Sequence, residues 1–273
     1  MQLSSMATGA VVRCPGPLPV DEVARGLRAG EFEAHFQPKV EMASGRLAGA
    51  EALARWSHAE RGLLEPWQFM CAIEEGGLLP TLVEAMLDNA LAERSRWRAA
   101  GLAAAVSVNL SLRCAGDPSL PERLAPITSR YGVDPRHVVL EVAQPAGAAL
   151  PGGALDNLSR LRVRGFGLAI DNYGTGPSLA GQLALMPFTE LRIDRTLVRN
   201  TAHAAGRALL ESKVSIARRL GLRTVAVGVE TRSEWELLAT LGCDLAQGHY
   251  LAAPMPSAEF VSWARRLPRR PPP

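Results

Sequence analysis

At 273 residues, with 47% hydrophobic side chains, the chain can bury a large core, and its length suits one closed domain of about 250 residues better than two. The formal net charge is only +3, and the basic residues are almost all arginine, with Lys39 and Lys213 the two lysines. The arginines are scattered and form no stripe interleaved with aromatics, which argues against nucleic-acid binding, and no apolar run approaches the roughly 20 residues of a membrane span. The four cysteines form no CxxC pair and have no histidine cluster nearby, so reduced thiols in a cytoplasmic protein are expected rather than zinc or disulfides.

In chain order, residues 1–19 read as a flexible lead-in rich in Pro, Gly and Ser, without the charged-then-apolar pattern of a secretory signal. A short helix is predicted over 21–29 with Asp21 as its N-cap. The run EFEAHFQPKVEM, a turn at Ala43-Ser44-Gly45 and the run RLAGAEALARW form a hairpin, so the first strand should lie antiparallel to the second. Helix follows over 66–100 with a break at Gly76-Gly77, then strand 103–110, helix 119–131, strand 137–143, helix 151–164 and strand 166–171. A short helix near 178–186 leads to strand 189–194 and to a longer helix over 203–220, in which Leu209, Ile216 and Leu220 recur at helical spacing, with Leu210, Val214 and Ala217 widening the face. Strand 223–229, helix 231–241, strand 243–247 and helix 256–266 complete the pattern, and PRRPPP (268–273) is a disordered tail. About eight strand–helix units predict an α/β fold closed into a barrel over residues 20–267.

Six of the apolar runs end on an oxygen-bearing side chain: Glu51, Asn109, Glu141, Asp171, Asp194 and Glu230. Parallel barrel strands deliver their C-terminal ends to one face, where such barrels build their sites. Donors far apart in sequence would meet there in an acidic cup suited to a hard divalent cation. The bland alternative is that these residues cap helices or pair with arginines, and for Asp194 and Glu230 the two readings stay level. The five tryptophans read as core or partly buried packing residues, His249 as packing, and Gly174 and Gly176 as turn residues.

The stretch FQPKVEMASGRLAGAEALARW (36–56) resembles the opening of the EAL family, cyclic-di-GMP phosphodiesterases and their inactive relatives. SVNLS (107–111), VVLEV (138–142), IDNYGTG (170–176), LRIDR (191–195), VGVET (227–231) and QGHYLAAPMP (247–256) continue the resemblance in order, over about residues 20–266. It implies a modified TIM (β/α)8 barrel with the first strand antiparallel. It also implies metal-assisted hydrolysis, in which two Mg²⁺ or Mn²⁺ ions activate the water that opens the cyclic dinucleotide to linear pGpG. The metal ligands would be Glu51, Asn109, Glu141 and Asp171. Gln247 would stand near the metal-bound water, Gln37 and Pro38 would line the guanine side, and Arg55 and Asp194 would serve the substrate. A guanidinium suits phosphate because its planar fork meets two oxygens at once.

The departures from the family pattern bear on activity. Asn172 stands where a second consecutive aspartate is usual, Arg192 where a lysine is usual, and Val227 and Gln144 where glutamates are usual; Pro177 replaces an aromatic in the loop that couples metal occupancy to dimer contacts. Together these remove carboxylates and the lysine from one side of the cup, which implies that one ion site survives and its twin does not. Arg192 could also pair with Asp171 or Glu141 and stand in for a missing cation. Losing a transition-state stabiliser costs on the order of 10²–10³ in rate. The resulting expectation is a degenerate EAL domain in cyclic-di-GMP signalling that binds the nucleotide or a regulatory protein partner with little or no hydrolysis. The alternatives are a slow, active phosphodiesterase, with Glu51 and Gln247 in catalytic roles, and a nucleotide-independent protein scaffold; a homodimer is compatible with all three.

Overall fold

The computed structural model of the chain describes residues 18–143, 151–171 and 183–267. Its strands are β1 (Phe32–Glu41), β2 (Leu47–His58), β3 (Gly62–Leu64), β4 (Ala105–Ser111), β5 (Val138–Ala143), β6 (Gly167–Asp171), β7 (Glu190–Ile193), β8 (Arg223–Val227) and β9 (Leu245–Gln247). Between and around them lie α1 (Val20–Ala29), α2 (Pro66–Glu75), α3 (Leu79–Ala99), α4 (Leu112–Ala115), α5 (Leu120–Arg130), α6 (Ala154–Val163), α7 (Arg195–Arg199), α8 (Ala204–Arg219), α9 (Arg232–Leu241) and α10 (Ser257–Arg266). The sheet order β1-β9-β8-β7-β6-β5-β4-β2, together with a β1–β2 pairing, closes eight strands into a ring, and β3 hangs from β2 as an outer hairpin. β1 is antiparallel to both of its neighbours, and the other ring pairs are parallel. This is the modified barrel that the hairpin reading expects.

The reversed strand is held at both ends. Its pairing with β9 covers only Val40↔Ala246 and Glu41↔Leu245. Towards its start, Phe36 instead exchanges backbone hydrogen bonds with Met255, donating at 2.7 Å and accepting at 3.1 Å. Side chains alternate across the strand. Phe36 turns outward against Trp97 (centroids 4.6 Å apart, edge-on) and Phe260, while Trp97 donates to Ser257 Oγ at 2.9 Å. β1 is thus clamped by α3 and α10, and its other face is free to turn Gln37 and Lys39 inward.

Several expectations change in detail. Helix α1 begins at Val20 with Pro19 at the cap position, whose carbonyl accepts from Glu22 and Val23; Asp21 sits inside the first turn. There a carboxylate still favours the helix dipole without capping it. On α8 the buried stripe is Leu210, Val214 and Ala217, with Leu209 and Ile216 on its flanks. Trp56, Trp97 and Trp235 are buried, but Trp67 at the start of α2 is 46% exposed. His249 is exposed rather than packed. Cys114 and Cys243 are free and buried, whereas Cys71 is disulfide-bonded; spacing in the sequence does not reveal which sulfurs meet in space. The hairpin strand β3 and the one-turn helices α4 and α7 are too short to leave a periodic signal.

Candidate functional site

Inside the ring, seven strands contribute polar side chains to one connected group. Parallel register places Glu51 beside Ser107, Asn109 beside Glu141, Ala143 beside Asp171, and Val227 beside Gln247, while the antiparallel β1 brings Gln37 opposite Glu51. Gln247 ends its strand at Gly248, where a Cβ would overlap the Val229 backbone, so only glycine lets β9 stop this close to the end of β8.

Glu51 is 4% exposed and Glu141 1%, and all four of their carboxylate oxygens are engaged. Glu51 Oε1 accepts from Asn109 Nδ2 at 2.8 Å. Its Oε2 accepts from Gln247 Nε2 at 2.7 Å and from Arg192 Nη2 at 3.1 Å. Glu141 Oε1 is bonded to Lys39 Nζ, and its Oε2 to Arg192 Nη1. Lys39 Nζ also donates to Ser107 Oγ at 2.7 Å, and Arg192 Nε lies 3.8 Å from Asp171 Oδ2. Gln37 is held from two sides, accepting from Gln247 Nε2 at 2.9 Å and donating to the Ala252 carbonyl at 3.1 Å. Among the described residues, Arg192 Nε and Gln247 Oε1 are buried without a hydrogen-bond partner, leaving one donor and one acceptor for a ligand or water.

The electrostatics follow from this crowding. Burial pushes the Glu51 carboxyl up, but Arg192 and Lys39 outweigh it, assisted by the Asn109 and Gln247 amides, and hold it at about 2. Burial and the neighbouring Glu51 charge push Glu141 up against the pull of its cations. Burial opposes the charge on Arg192, yet Glu141, Glu51 and Asp171 hold it firmly protonated.

Other predicted site residues lie apart from this group. Strand alternation puts the buried Pro38 on the face opposite Gln37 and Lys39. Arg55 is half-buried on β2, paired in register with Glu33, and donates to its neighbour's carbonyl, Ala54 O, at 2.8 Å. Asp194 caps α7, accepting from Thr196 N at 2.8 Å. Glu230 is exposed and paired with Arg199. Asn172, Gln144, Gly174, Gly176 and Pro177 lie outside the described residues. Sequence reasoning missed Lys39 and Ser107 as members of the group. Two signals pointed to Lys39: it lies two residues from Gln37, and so on the same strand face, and it is one of two lysines in an arginine-rich chain.

Glu51, Asn109, Glu141 and Asp171 are the donor set that would hold a divalent ion. As arranged, they do not fit one. Glu51 bonds to Arg192 and the Asn109 and Gln247 amides, and Glu141 to Lys39 and Arg192, rather than sharing a common point, and among the described residues no three His, Cys, Asp or Glu side chains are placed to hold an ion. Among the described residues, no helix is long and apolar enough to cross a membrane.

A closed β/α barrel with a reversed first strand and an ionised polar cup inside its ring defines the structural class. Comparison with known proteins narrows this further. The EAL domain family matches residues 20–254, and the chain belongs to that family. It is 35% identical over 245 residues to the cyclic di-GMP phosphodiesterase RocR of Pseudomonas aeruginosa, a match covering 89% of this chain and 62% of that protein. It is 34% identical to the bifunctional diguanylate cyclase/cyclic di-GMP phosphodiesterase MucR of the same organism, over 88% of this chain and 36% of that protein. The chain thus spans less than two thirds of either relative. A solved structure of the MucR phosphodiesterase in complex with c-di-GMP superposes with a TM-score of 0.81 at 34% identity, covering 88% of this chain and 98% of that one.

Proposed function

We propose that this chain is an EAL domain that recognises cyclic-di-GMP and hydrolyses it little or not at all. Recognition is supported by family membership, by the likeness to the c-di-GMP-complexed MucR phosphodiesterase, and by Gln37 and Gln247, which are bonded to each other beside Glu51 in the cup. The observation that carries the low-turnover half is Val227. Its register with Gln247 turns it to the face on which Gln247 bonds Glu51. An isopropyl group therefore stands where the family pattern has a carboxylate, and it neither ligates a metal nor accepts a proton. Incubation with cyclic-di-GMP and Mn²⁺, read by chromatography, should leave the nucleotide intact. Conversion to pGpG at about 1 per second or faster overturns the reading.

A slow phosphodiesterase is the second reading. It is favoured by the retention of Glu51, Asn109, Glu141 and Asp171 and by the 35% identity to RocR. It requires slow pGpG formation that Glu51→Ala abolishes; wild-type protein as inert as that variant ends it.

A further inference from the structure

We infer that Lys39 and Arg192 are resident counter-ions that occupy the carboxylate cup in place of divalent metal, so that the cup takes up Mg²⁺ or Mn²⁺ only weakly. The inference concerns the site without nucleotide and goes beyond the question of turnover.

Position is the first ground. The Arg192 guanidinium lies among three of the four oxygen donors that would ligate an ion: Nη1 bonds Glu141, Nη2 bonds Glu51 at 3.1 Å, and Nε lies 3.8 Å from Asp171. A planar fork suits this, because its N–H groups diverge towards separate carboxylates. Lys39 takes the remaining Glu141 oxygen. A metal entering here would have to compete for oxygens that already accept charge-assisted hydrogen bonds.

Charge is the second ground. Glu51, Glu141 and Asp171 face Arg192 and Lys39, so carboxylates exceed cations by one. A dication added to this set would reverse its sign at a largely buried point. Displacing Arg192 instead would leave a buried guanidinium unpaired, because the side chain is only 4% exposed and arginine does not shed its proton. Breaking a buried ion pair in this way weakens metal binding on the order of 100-fold or more.

The test uses metal alone. Mn²⁺ is titrated into the full chain without nucleotide and followed by electron paramagnetic resonance of the free ion. Wild type should show no saturable site tighter than about 1 mM, and about 5 mM MnCl₂ should leave its Tm unchanged, since a ligand that does not bind the native state does not stabilise it. Arg192→Met should gain a single site at least about tenfold tighter, and adding Asp171→Asn should remove it. Micromolar Mn²⁺ binding by wild type that is lost in Asp171→Asn overturns the inference, as does an Arg192→Met protein that folds yet gains no site. If Arg192→Met does not fold, the wild-type titration and melt decide the question alone.

Discussion

The two sides of the barrel mouth treat the same kind of residue in opposite ways. On the β1–β2–β4–β5 side, Gln37, Lys39, Glu51, Ser107 and Glu141 are buried and joined into one network, directly or through Gln247 and Arg192. On the β7–β8 side, Asp194 and Glu230 also end strand-like runs, yet their partners are local or exposed: the first turn of α7 for Asp194, and Arg199 for Glu230. A strand-end carboxylate becomes part of a site when it is sealed from water and its partners come from other strands. Where it caps the next helix, it is structural. Arg192 is the exception on its side, because it leans from β7 into the sealed group.

Three substitutions test that contrast, in descending order of effect. Lys39→Met removes a buried cation from Glu141 and leaves its Oε1 unpaired beside the Met side chain, with Arg192 on the other oxygen. Loss of one partner of a buried pair costs about 3–5 kcal/mol, read as a lowered urea midpoint at neutral pH. Glu51→Gln should cost about 3 kcal/mol at pH 7, and its penalty should depend on pH in a set direction. The folded Glu51 value of about 2 lies below the ordinary 4.5. The unfolded chain therefore takes up the proton first, and this stability is complete above pH 4.5 and lost as pH falls towards 2. The gap between variant and wild type should narrow through that window in urea melts run at successive pH values. A gap that stays constant would show that Glu51 is not held ionised by its neighbours. Asp194→Ala removes only a helix cap and should cost about 1 kcal/mol with no such pH trend. A loss as large as that of Lys39→Met would put Asp194 inside the sealed group.

The same contrast explains what the sequence could reveal. The alternation of apolar runs with helical periodicity exposes the barrel, because each strand and helix must bury one face. Asn109, Glu141 and Asp171 are legible because parallel strands bring their C-terminal parts together, whereas Glu51 ends an apolar run but lies midway along β2. Lys39 is not legible by that rule: β1 runs against its neighbours, so Lys39 reaches the cup without ending an apolar run that shares their direction. The partnership of Arg192 with Glu51 joins residues 141 positions apart, and only the closed ring brings them into contact. Asp21 and Asp194 show the limit for caps. Both are aspartates near a helix start, but the backbone turns two residues earlier at Pro19, and only Asp194 reaches an amide.

The bond between Phe36 and Met255 reaches further than its two hydrogen bonds suggest. β9 covers only the far end of β1, so the near end is a bare edge until the 252–256 segment folds over it and also supplies the Ala252 carbonyl that holds Gln37. The barrel is therefore a ring with a zip. Its last stitch lies beside Gln37, which holds the Gln247 amide that bonds Glu51, so whatever loosens that stitch also unsettles the wall of the cup.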